Sequence, residues 1–450
     1  MRRTLSFSVL LLAAALPAQG SKSLRLPSGL ELRLERVEGS RGLALMLFVK
    51  TGFAEDPPER TGLAHLLEHM VMTSGTPSRP GGWSYERWRR ERTEGANAMT
   101  RPRWTVFYSL GTREECAADA RWMGEVLAGK ARFEPEALER ERRRMLAEIE
   151  RMTRVVPGGI LQWRARARIL RDRPEGRIGI GIPAEVRAIE IAELEALYRA
   201  RYRNGNALLV AVGEVDPEGD AAFFKEVFGA ERGGGEAGAE GVEAPPRTKG
   251  APVPSAEDLP PAVGSCPRIG GVFRTFVFRT PSPQDPDYPA FLLAAFWMAR
   301  KARMSFRPRG GEAAAFFLPA LFPLLEAPEL FFLNRRGESG ATVEEVDREL
   351  ETWLGNALRA AIPKAALTWI RQDLEGLLHP LPRSETRRRM LAKSPRLLYA
   401  LALARGVAEL RAFPGDLWKR IQGTTAAEVI KARARWFAPG RAHRLALVPR

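Results

Sequence analysis

The stretch from Gly233 to Ser265 constrains the fold of this chain more than any other feature. It is rich in Gly, Pro, Ala and Glu and has almost no large apolar side chains. Such a stretch cannot contribute much to a hydrophobic core, so it predicts a linker between domains. The chain has 450 residues, more than one core usually serves. We therefore expect two halves of similar size, residues 21–232 and residues 266–450.

Both halves mix strand and helix patterns. In the first half, Leu30, Leu32 and Leu34 alternate with charged residues, which predicts a half-buried strand. Further strands are expected at Leu43–Lys50, Trp104–Leu110, Ala207–Val212 and Val272–Phe278. Helices are expected from about Thr61, and at Glu114–Leu127, Pro135–Thr153, Ala188–Tyr202, Tyr288–Lys301, Val343–Leu358 and Ser394–Leu410. Because strands and helices interleave in both halves, the expected class is α/β or α+β rather than all-α.

The first 20 residues have the pattern of a signal peptide. Arg2 and Arg3 precede the apolar run from Leu5 to Leu16, and small residues suited to cleavage follow. The run is too short to span a bilayer. The other long apolar stretch, Ala313 to Leu325, contains two prolines and indicates soluble core. We therefore expect an exported chain, periplasmic or secreted, with no transmembrane segment in its mature form.

The formal net charge is +16, and only ten of the 70 basic residues are Lys. A basic chain can bind nucleic acid, but the arginines are spread over the whole length and form no dense arm. No nucleic-acid partner is therefore expected. The two cysteines, Cys116 and Cys266, could form one bridge in an oxidising compartment, but buried free thiols are the preferred interpretation.

Two of the four histidines lie in one short motif, His65-Leu66-Leu67-Glu68-His69. On a helix, residues four apart share a face, so both imidazoles can reach one ion. Glu68 shares that face and can take a proton from water that the metal activates. The order His-x-x-Glu-His inverts the common zincin pattern. A chance pair of histidines is improbable in a chain so poor in His.

Catalytic zinc usually has three protein ligands, so a third is needed. The helix expected after Pro135 places Glu141 and Glu148 on the same stripe as Leu138 and Met145. A carboxylate on a core-facing stripe needs a partner, and a metal ion is one candidate. Glu-rich helices are more commonly just solvated, so the pattern alone leaves both interpretations open.

Several motifs, in order, resemble the pitrilysin/insulinase family of zinc peptidases, which includes the mitochondrial processing peptidase. They cover about residues 22 to 230, and the resemblance is looser beyond Phe273. The matching segments are Gly62 to Met70 with Ser74-Gly75-Thr76, Gly95 to Thr100 with Thr105 and Tyr108, Glu139 to Arg142 with Leu146 to Ile149, and Leu197 to Asp216.

The resemblance implies an α+β fold, an α/β sandwich of two homologous mixed α/β domains joined by a linker. It also implies one zinc ion on His65, His69 and Glu148, with Glu68 as the general base. Glu141 is implied to be the accessory acidic residue that orients the site. Asn97 and Ala98 are implied to lie on an edge strand that pairs with an extended substrate peptide.

One departure concerns the second half. Active family members use an Arg and a Tyr from the second domain or from a partner chain, yet no Tyr occurs between Tyr288 and Tyr399. The residues near the expected position are Arg303, Arg307, Arg309, Phe316 and Phe317. A Phe cannot donate the phenolic hydrogen bond.

The leading hypothesis is therefore a zinc peptidase subunit acting on short or unfolded peptides, with a homologous partner completing the site in a heterodimer. The alternatives are a homodimer that uses other residues such as Arg307 or Arg309, a non-catalytic scaffold or binding subunit that retains a zinc site, and a zinc-dependent esterase or amidase.

Overall fold

A computed structural model describes residues 20–57, 59–80, 85–229, 262–266, 269–305, 330–378, 394–410 and 416–449. The chain divides into two compact units. Unit 1 comprises residues 1–147, 177–248 and 375–411, and unit 2 comprises residues 148–176, 249–374 and 412–450. Each unit is thus assembled from three stretches of the chain.

Unit 1 is built on a six-stranded mixed sheet in the order β1-β2-β6-β3-β5-β4. Its strands are β1 (Ser21–Arg25), β2 (Glu31–Arg36), β3 (Leu43–Val49), β4 (Gly95–Thr100), β5 (Thr105–Gly111) and β6 (Ala207–Gly213). β2 and β6 run parallel, and the other pairs are antiparallel. Every residue of β3 and β6 is buried, as expected for central strands that are covered on both faces.

Helices cover this sheet. Those of the first half within unit 1 are α1 (Leu63–Thr73), α2 (Tyr85–Arg90), α3 (Arg113–Leu127), α6 (Pro183–Ala188), α7 (Ile191–Arg201) and α8 (Asp220–Val227). A capping box at Thr112 and Glu115 starts α3, because each side chain bonds the other residue's backbone N–H. α4 (Pro135–Glu150) begins at a proline and is followed by a π-helical turn at Arg151–Val155.

Unit 2 has a four-stranded sheet in the order β7-β10-β8-β9. Its strands are β7 (Ala262–Cys266), β8 (Phe273–Arg279), β9 (Leu330–Arg336) and β10 (His443–Pro449). Its helices are α5 (Pro157–Ile169), α9 (Tyr288–Ser305), α10 (Val343–Arg359), α11 (Lys364–Leu378), α13 (Leu417–Gly423) and α14 (Ala426–Trp436).

The two sheets share one topology. In unit 1, β2 pairs parallel with β6, β6 antiparallel with β3, and β3 antiparallel with β5. In unit 2, β7 pairs parallel with β10, β10 antiparallel with β8, and β8 antiparallel with β9. In both sets of four strands, the strand that comes first in sequence pairs with the one that comes last. The second and third strands then follow in that order. This repeated order agrees with the expected two mixed α/β domains, and the α+β class is confirmed.

Each unit also contains a helix from the other half of the sequence. α12 (Pro395–Leu410) packs on β3 and β6 of unit 1. α5 packs on β8 and β10 of unit 2, where Ile160, Leu161 and Ile169 join a cluster of buried residues that includes Phe273 and Leu445. Consequently, neither unit is a continuous half of the chain.

Each predicted helix or strand is of the predicted type, and its ends differ from the prediction by a few residues at most. The helix expected at Ala188–Tyr202 corresponds to α7, which begins at Ile191 because the backbone is extended at Ile189 and Glu190. β1, β7, β9 and β10 and the helices α2, α5, α6, α8, α11, α13 and α14 were not anticipated. Cys116 and Cys266 are buried and free.

Several expectations fall on residues outside the described part. These are the signal peptide, nearly all of the linker, the stretch from Ala313 to Leu325, and Arg307, Arg309, Phe316 and Phe317. Among the described helices, none is long and apolar enough to cross a membrane.

Candidate metal centre

Helix α1 carries the His-x-x-Glu-His motif, and two residues before it determine how it begins. Gly62 has φ +88°, a left-handed conformation that favours glycine. A Cβ at Gly62 would lie 2.6 Å from Met145 Cε and 2.8 Å from Gly181 Cα. The buried Asp56 accepts hydrogen bonds from the backbone N–H of Gly62 at 2.8 Å and of Ala64 at 2.9 Å. Asp56 thus satisfies two of the N–H groups that a helix start leaves unpaired.

We expect Asp56→Ala to lower the free energy of unfolding by about 1–3 kcal/mol, because two buried N–H groups lose their acceptor. Burial raises the pKa of Asp56 to about 7 against the opposing hydrogen bonds from Ala64 and Gly62, so a neutral side chain is tolerated there. Asp56→Asn, which keeps an acceptor, is the matched control and should cost less. Chemical denaturation measures both, and equal losses would contradict a capping role.

The side chains of His65, Glu68 and His69 converge on one side of α1. Their candidate ligand atoms all lie within 4.8 Å of one another. Among the described residues, these three side chains form the cluster that could hold a metal ion. The two imidazole centroids are 4.9 Å apart with planes at 87°. Glu68 is buried, whereas His65 and His69 keep part of their surface exposed. The group can therefore be reached from outside the unit.

The surroundings of the two imidazoles differ, and each has one feature that suits a metal ligand. Desolvation by the surrounding protein lowers the pKa of His65 to about 3, and the charge of the neighbouring His69 adds to this shift. A hydrogen bond with the backbone of Ile180 opposes it. His65 is therefore neutral at physiological pH. His69 Nδ1 lies 3.5 Å from Glu141 Oε2. A carboxylate beside one ring nitrogen directs the other nitrogen towards an ion.

Glu141 is 2% exposed and has several cationic neighbours. Arg144 Nη1 donates to Glu141 Oε1 at 3.1 Å, and Arg140 Nε donates to the same oxygen at 3.3 Å. Burial raises the pKa of Glu141, but the bond with His69 and the charges of Arg144 and Arg140 outweigh it, so its pKa lies below the usual range. Glu141 is therefore ionised where it meets His69, and its accessory role stays a prediction.

Glu68 has a hydroxyl partner on the sheet. Thr100 Oγ1, at the end of β4, donates to Glu68 Oε2 at 2.5 Å. The fully buried Tyr202 is also close enough for the charge of Glu68 to raise the pKa of its phenol, an effect second to burial. Glu68 thus sits in a buried polar setting in which a hydroxyl stabilises its charge.

The other proposed site residues are placed as follows. Glu148 lies on α4, two turns beyond Glu141, and is half-buried. It is not a member of the group whose ligand atoms lie within 4.8 Å. Asn97 and Ala98 lie on β4, which is the outermost strand of its sheet as expected. Their pairing with a peptide stays a prediction.

A cavity of about 1100 Å³ lies in unit 1, and its lining includes Met70 and Thr73 of α1 and Ala137 and Arg140 of α4. His65, Glu68 and His69 are not among the residues that line it. Lys130 is among the charged residues that line it. The cavity is large enough to take several amino-acid side chains.

The residues present fit a zinc ion. Two imidazoles, one of them neutral by its surroundings and the other backed by an ionised carboxylate, are a typical nitrogen donor pair for zinc. The buried Glu68 carboxylate beside them is acceptor-only when ionised, and a cation offsets the cost of burying it.

Unit 1 thus combines an α+β fold with an inverted His-x-x-Glu-His helix. Residues 34–159 match the model of the insulinase family, peptidase family M16. The resemblance found in the motifs is thereby confirmed over this part of the chain.

The similar proteins include a processing peptidase subunit and a zinc protease. The β subunit of the mitochondrial processing peptidase of Saccharomyces cerevisiae is 24% identical over 210 residues, which are 47% of this chain and 45% of that protein. An uncharacterised zinc protease of Mycobacterium tuberculosis is 29% identical over 206 residues, 45% of this chain and 46% of that protein. The chain thus matches about half the length of these relatives. A protease from Helicobacter pylori has the same fold, with a TM-score of 0.73 at 15% identity, over 96% of this chain and 99% of that one.

Sequence reasoning missed three residues that hydrogen-bond to the site residues or to the start of their helix: Asp56, Arg144 and Thr100. Asp56 precedes the helix it caps by six residues, outside the usual capping positions. Arg144 was one of several arginines placed mostly off the core-facing stripe, yet it bonds Glu141. Thr100 appeared only as part of a motif, with no partner assigned. For Thr100, the alternation of β4 was the only available signal, and it does not identify Glu68.

Proposed function

We propose that this chain is a zinc metallopeptidase subunit that hydrolyses peptide bonds of short or unfolded peptides. The observation that carries the proposal is the convergence of His65, Glu68 and His69 on one helix, with Glu141 behind His69. Relatives named as zinc proteases support the metal and the reaction class.

In this proposal His65, His69 and Glu148 hold the ion. When bound, zinc supplies Lewis acidity, which lowers the pKa of water and polarises the scissile carbonyl. Glu68 accepts the proton of the attacking water on its carboxylate and then delivers it to the leaving amine nitrogen. Glu141 keeps His69 in one tautomer and orientation. Each of these side chains therefore has a separate task.

Substrate would bind as an added strand on β4, beside Asn97 and Ala98. An added strand needs an extended backbone, which folded proteins rarely offer, so short or unfolded peptides are the expected substrates. The cavity lined by Met70, Thr73, Ala137 and Arg140 has room for substrate side chains. Because the second half has no Tyr between Tyr288 and Tyr399, a homologous partner chain would complete the site. Export to the periplasm or beyond belongs to the same proposal and rests on the N-terminal pattern.

The ligand set can be tested by metal content. We expect His69→Ala and Glu148→Ala each to lower zinc occupancy to well below one ion per chain, because two remaining ligands bind zinc weakly. Glu150→Ala is the matched control, since Glu150 is an exposed carboxylate on the same helix. Elemental analysis after dialysis gives the stoichiometry, and full occupancy in Glu148→Ala would remove Glu148 from the ligand set.

The activity is tested by hydrolysis of a quenched fluorescent peptide library, with and without a chelator. The purified chain is assayed alone and then mixed with a co-purifying homologous chain. Chelator-sensitive cleavage only in the mixture is the expected result. Cleavage by the chain alone would indicate a self-sufficient homodimer.

The second candidate is a non-catalytic scaffold or binding subunit that retains zinc. The absence of Tyr from residues 289–398 favours it, because no phenol from that stretch can support the oxyanion. Zinc binding without cleavage in any mixture would select it. Cleavage of ester or amide model compounds without peptide cleavage would instead indicate an esterase or amidase.

A further inference from the structure

A hydrogen bond links the end of strand β4 to Glu68 on helix α1. Thr100 is the last residue of β4, and its Oγ1 donates to Glu68 Oε2 at 2.5 Å. The same six-residue strand carries Asn97 and Ala98 at the outer edge of the sheet. One short strand thus holds both the predicted substrate edge and a direct contact with the predicted base.

The neighbouring hydrogen bonds leave the Thr100 proton for Glu68. Thr105 lies directly opposite Thr100 in β5, with the two Oγ1 atoms 3.4 Å apart. Thr105 is fully buried, and its Oγ1 donates to the backbone carbonyl of Thr51 at 3.1 Å. A hydroxyl has one proton to donate. Because the Thr105 proton goes to Thr51, the two hydroxyls do not compete for Glu68.

The effect on Glu68 follows from the chemistry of a carboxylate. The hydrogen bond from Thr100 Oγ1 to Oε2 restricts rotation of the whole group. A general base must lie within hydrogen-bond reach of the proton that it removes, so its orientation enters the rate directly.

We infer that Thr100 is a positioning residue for Glu68, which fixes the orientation from which the carboxylate takes the proton from water. This inference rests on the proposed function, in which Glu68 is the base. Because Thr100 belongs to the strand on which the peptide would pair, the register of the substrate and the orientation of the base share one rigid element. Loss of the hydroxyl should therefore act on turnover more than on peptide binding.

The test compares Thr100→Val, which keeps the shape but loses the hydroxyl, with Thr100→Ser, which keeps the hydroxyl. We expect Thr100→Val to reduce kcat about 10- to 100-fold, as for other groups that orient a reacting side chain. The change in KM should stay within about 3-fold, and Thr100→Ser should retain most of the turnover. Zinc stoichiometry should equal that of the wild type in both variants. Ser109→Ala, which removes a buried hydroxyl from β5 of the same hairpin, is the matched control and should leave kcat unchanged.

Three results would overturn the inference: unchanged kcat in Thr100→Val, failure of Thr100→Ser to restore turnover, or an equal fall in Ser109→Ala. In the Glu68→Gln background, Thr100→Val should lower the residual rate no further, because its effect passes through Glu68. Crystal structures of the zinc-loaded wild type and Thr100→Val provide a readout independent of activity. The Glu68 carboxylate should hold one orientation in the first and several in the second. If the wild type cleaves no peptide, the proposed function fails, yet this structural comparison still decides whether Thr100 positions Glu68.

Discussion

Glu68→Gln is expected to lower kcat for peptide hydrolysis about 10³-fold while zinc stays bound, because the amide cannot accept the proton of the attacking water. The substitution preserves side-chain volume and one hydrogen-bond acceptor for Thr100, which donates to Glu68 Oε2. Helix α1 should therefore be undisturbed, and the loss should come from chemistry alone. Steady-state kinetics on a cleaved peptide, with zinc measured on the same sample, provides the test.

The control for this prediction is Glu139→Gln, which makes the same chemical change at an exposed residue of α4. It should leave kcat within about 2-fold of wild type, since exposed charges far from reacting atoms contribute little. Unchanged turnover in Glu68→Gln would refute the general-base assignment. Loss of zinc in Glu68→Gln would instead make Glu68 a ligand, an assignment that its place within 4.8 Å of both histidine ligand atoms permits.

The largest stability effect is expected at a buried ion pair in unit 1. Arg405 on α12 donates to Glu35 on β2 through Nε at 2.8 Å and Nη2 at 3.2 Å. Both residues are buried. Arg405→Met leaves the Glu35 charge buried with much weaker compensation, so the free energy of unfolding should fall by about 3–5 kcal/mol. Denaturant titration monitored by Trp fluorescence measures the change.

Two further variants separate the cost of an uncompensated charge from that of lost packing. The double variant Glu35→Leu/Arg405→Met removes both charges and should recover most of the stability, because two apolar side chains need no solvation. Arg199→Met removes an exposed cation that lies 3.3 Å from Glu195 on α7, and should cost less than about 1 kcal/mol. A loss in Arg405→Met no greater than that in Arg199→Met would show that the buried pair does not secure α12.

Local features of this protein were accessible from its sequence. The motif on α1 was found because a helix places residues three and four apart on one face, a relation that needs no tertiary contact. The buried strands β3 and β6 were found for a similar reason, since their apolar runs are bounded by turn residues. The predicted placement of β4 at a sheet edge came from the family resemblance and was correct.

Only the tertiary structure decided the contacts between residues far apart in sequence. The alternation within a strand does not show which strands pair, so the shared order of the two sheets could not be predicted. The packing of α12 on the sheet of unit 1 brings Arg405 to Glu35, which lies 370 residues earlier in the sequence. The bond from Thr100 to Glu68 depends on where β4 ends relative to α1.

The sequence by itself thus determined the chemistry of this protein, namely two imidazoles and a carboxylate one helical turn apart. The tertiary structure decided how that chemistry is supported: Asp56 at the start of the helix, Glu141 behind His69 and Thr100 on Glu68. The physical reason is the separation along the sequence between the residues that interact. Helical spacing is a property of neighbouring residues, whereas a supporting hydrogen bond requires the packing of elements that the chain brings together only when it folds.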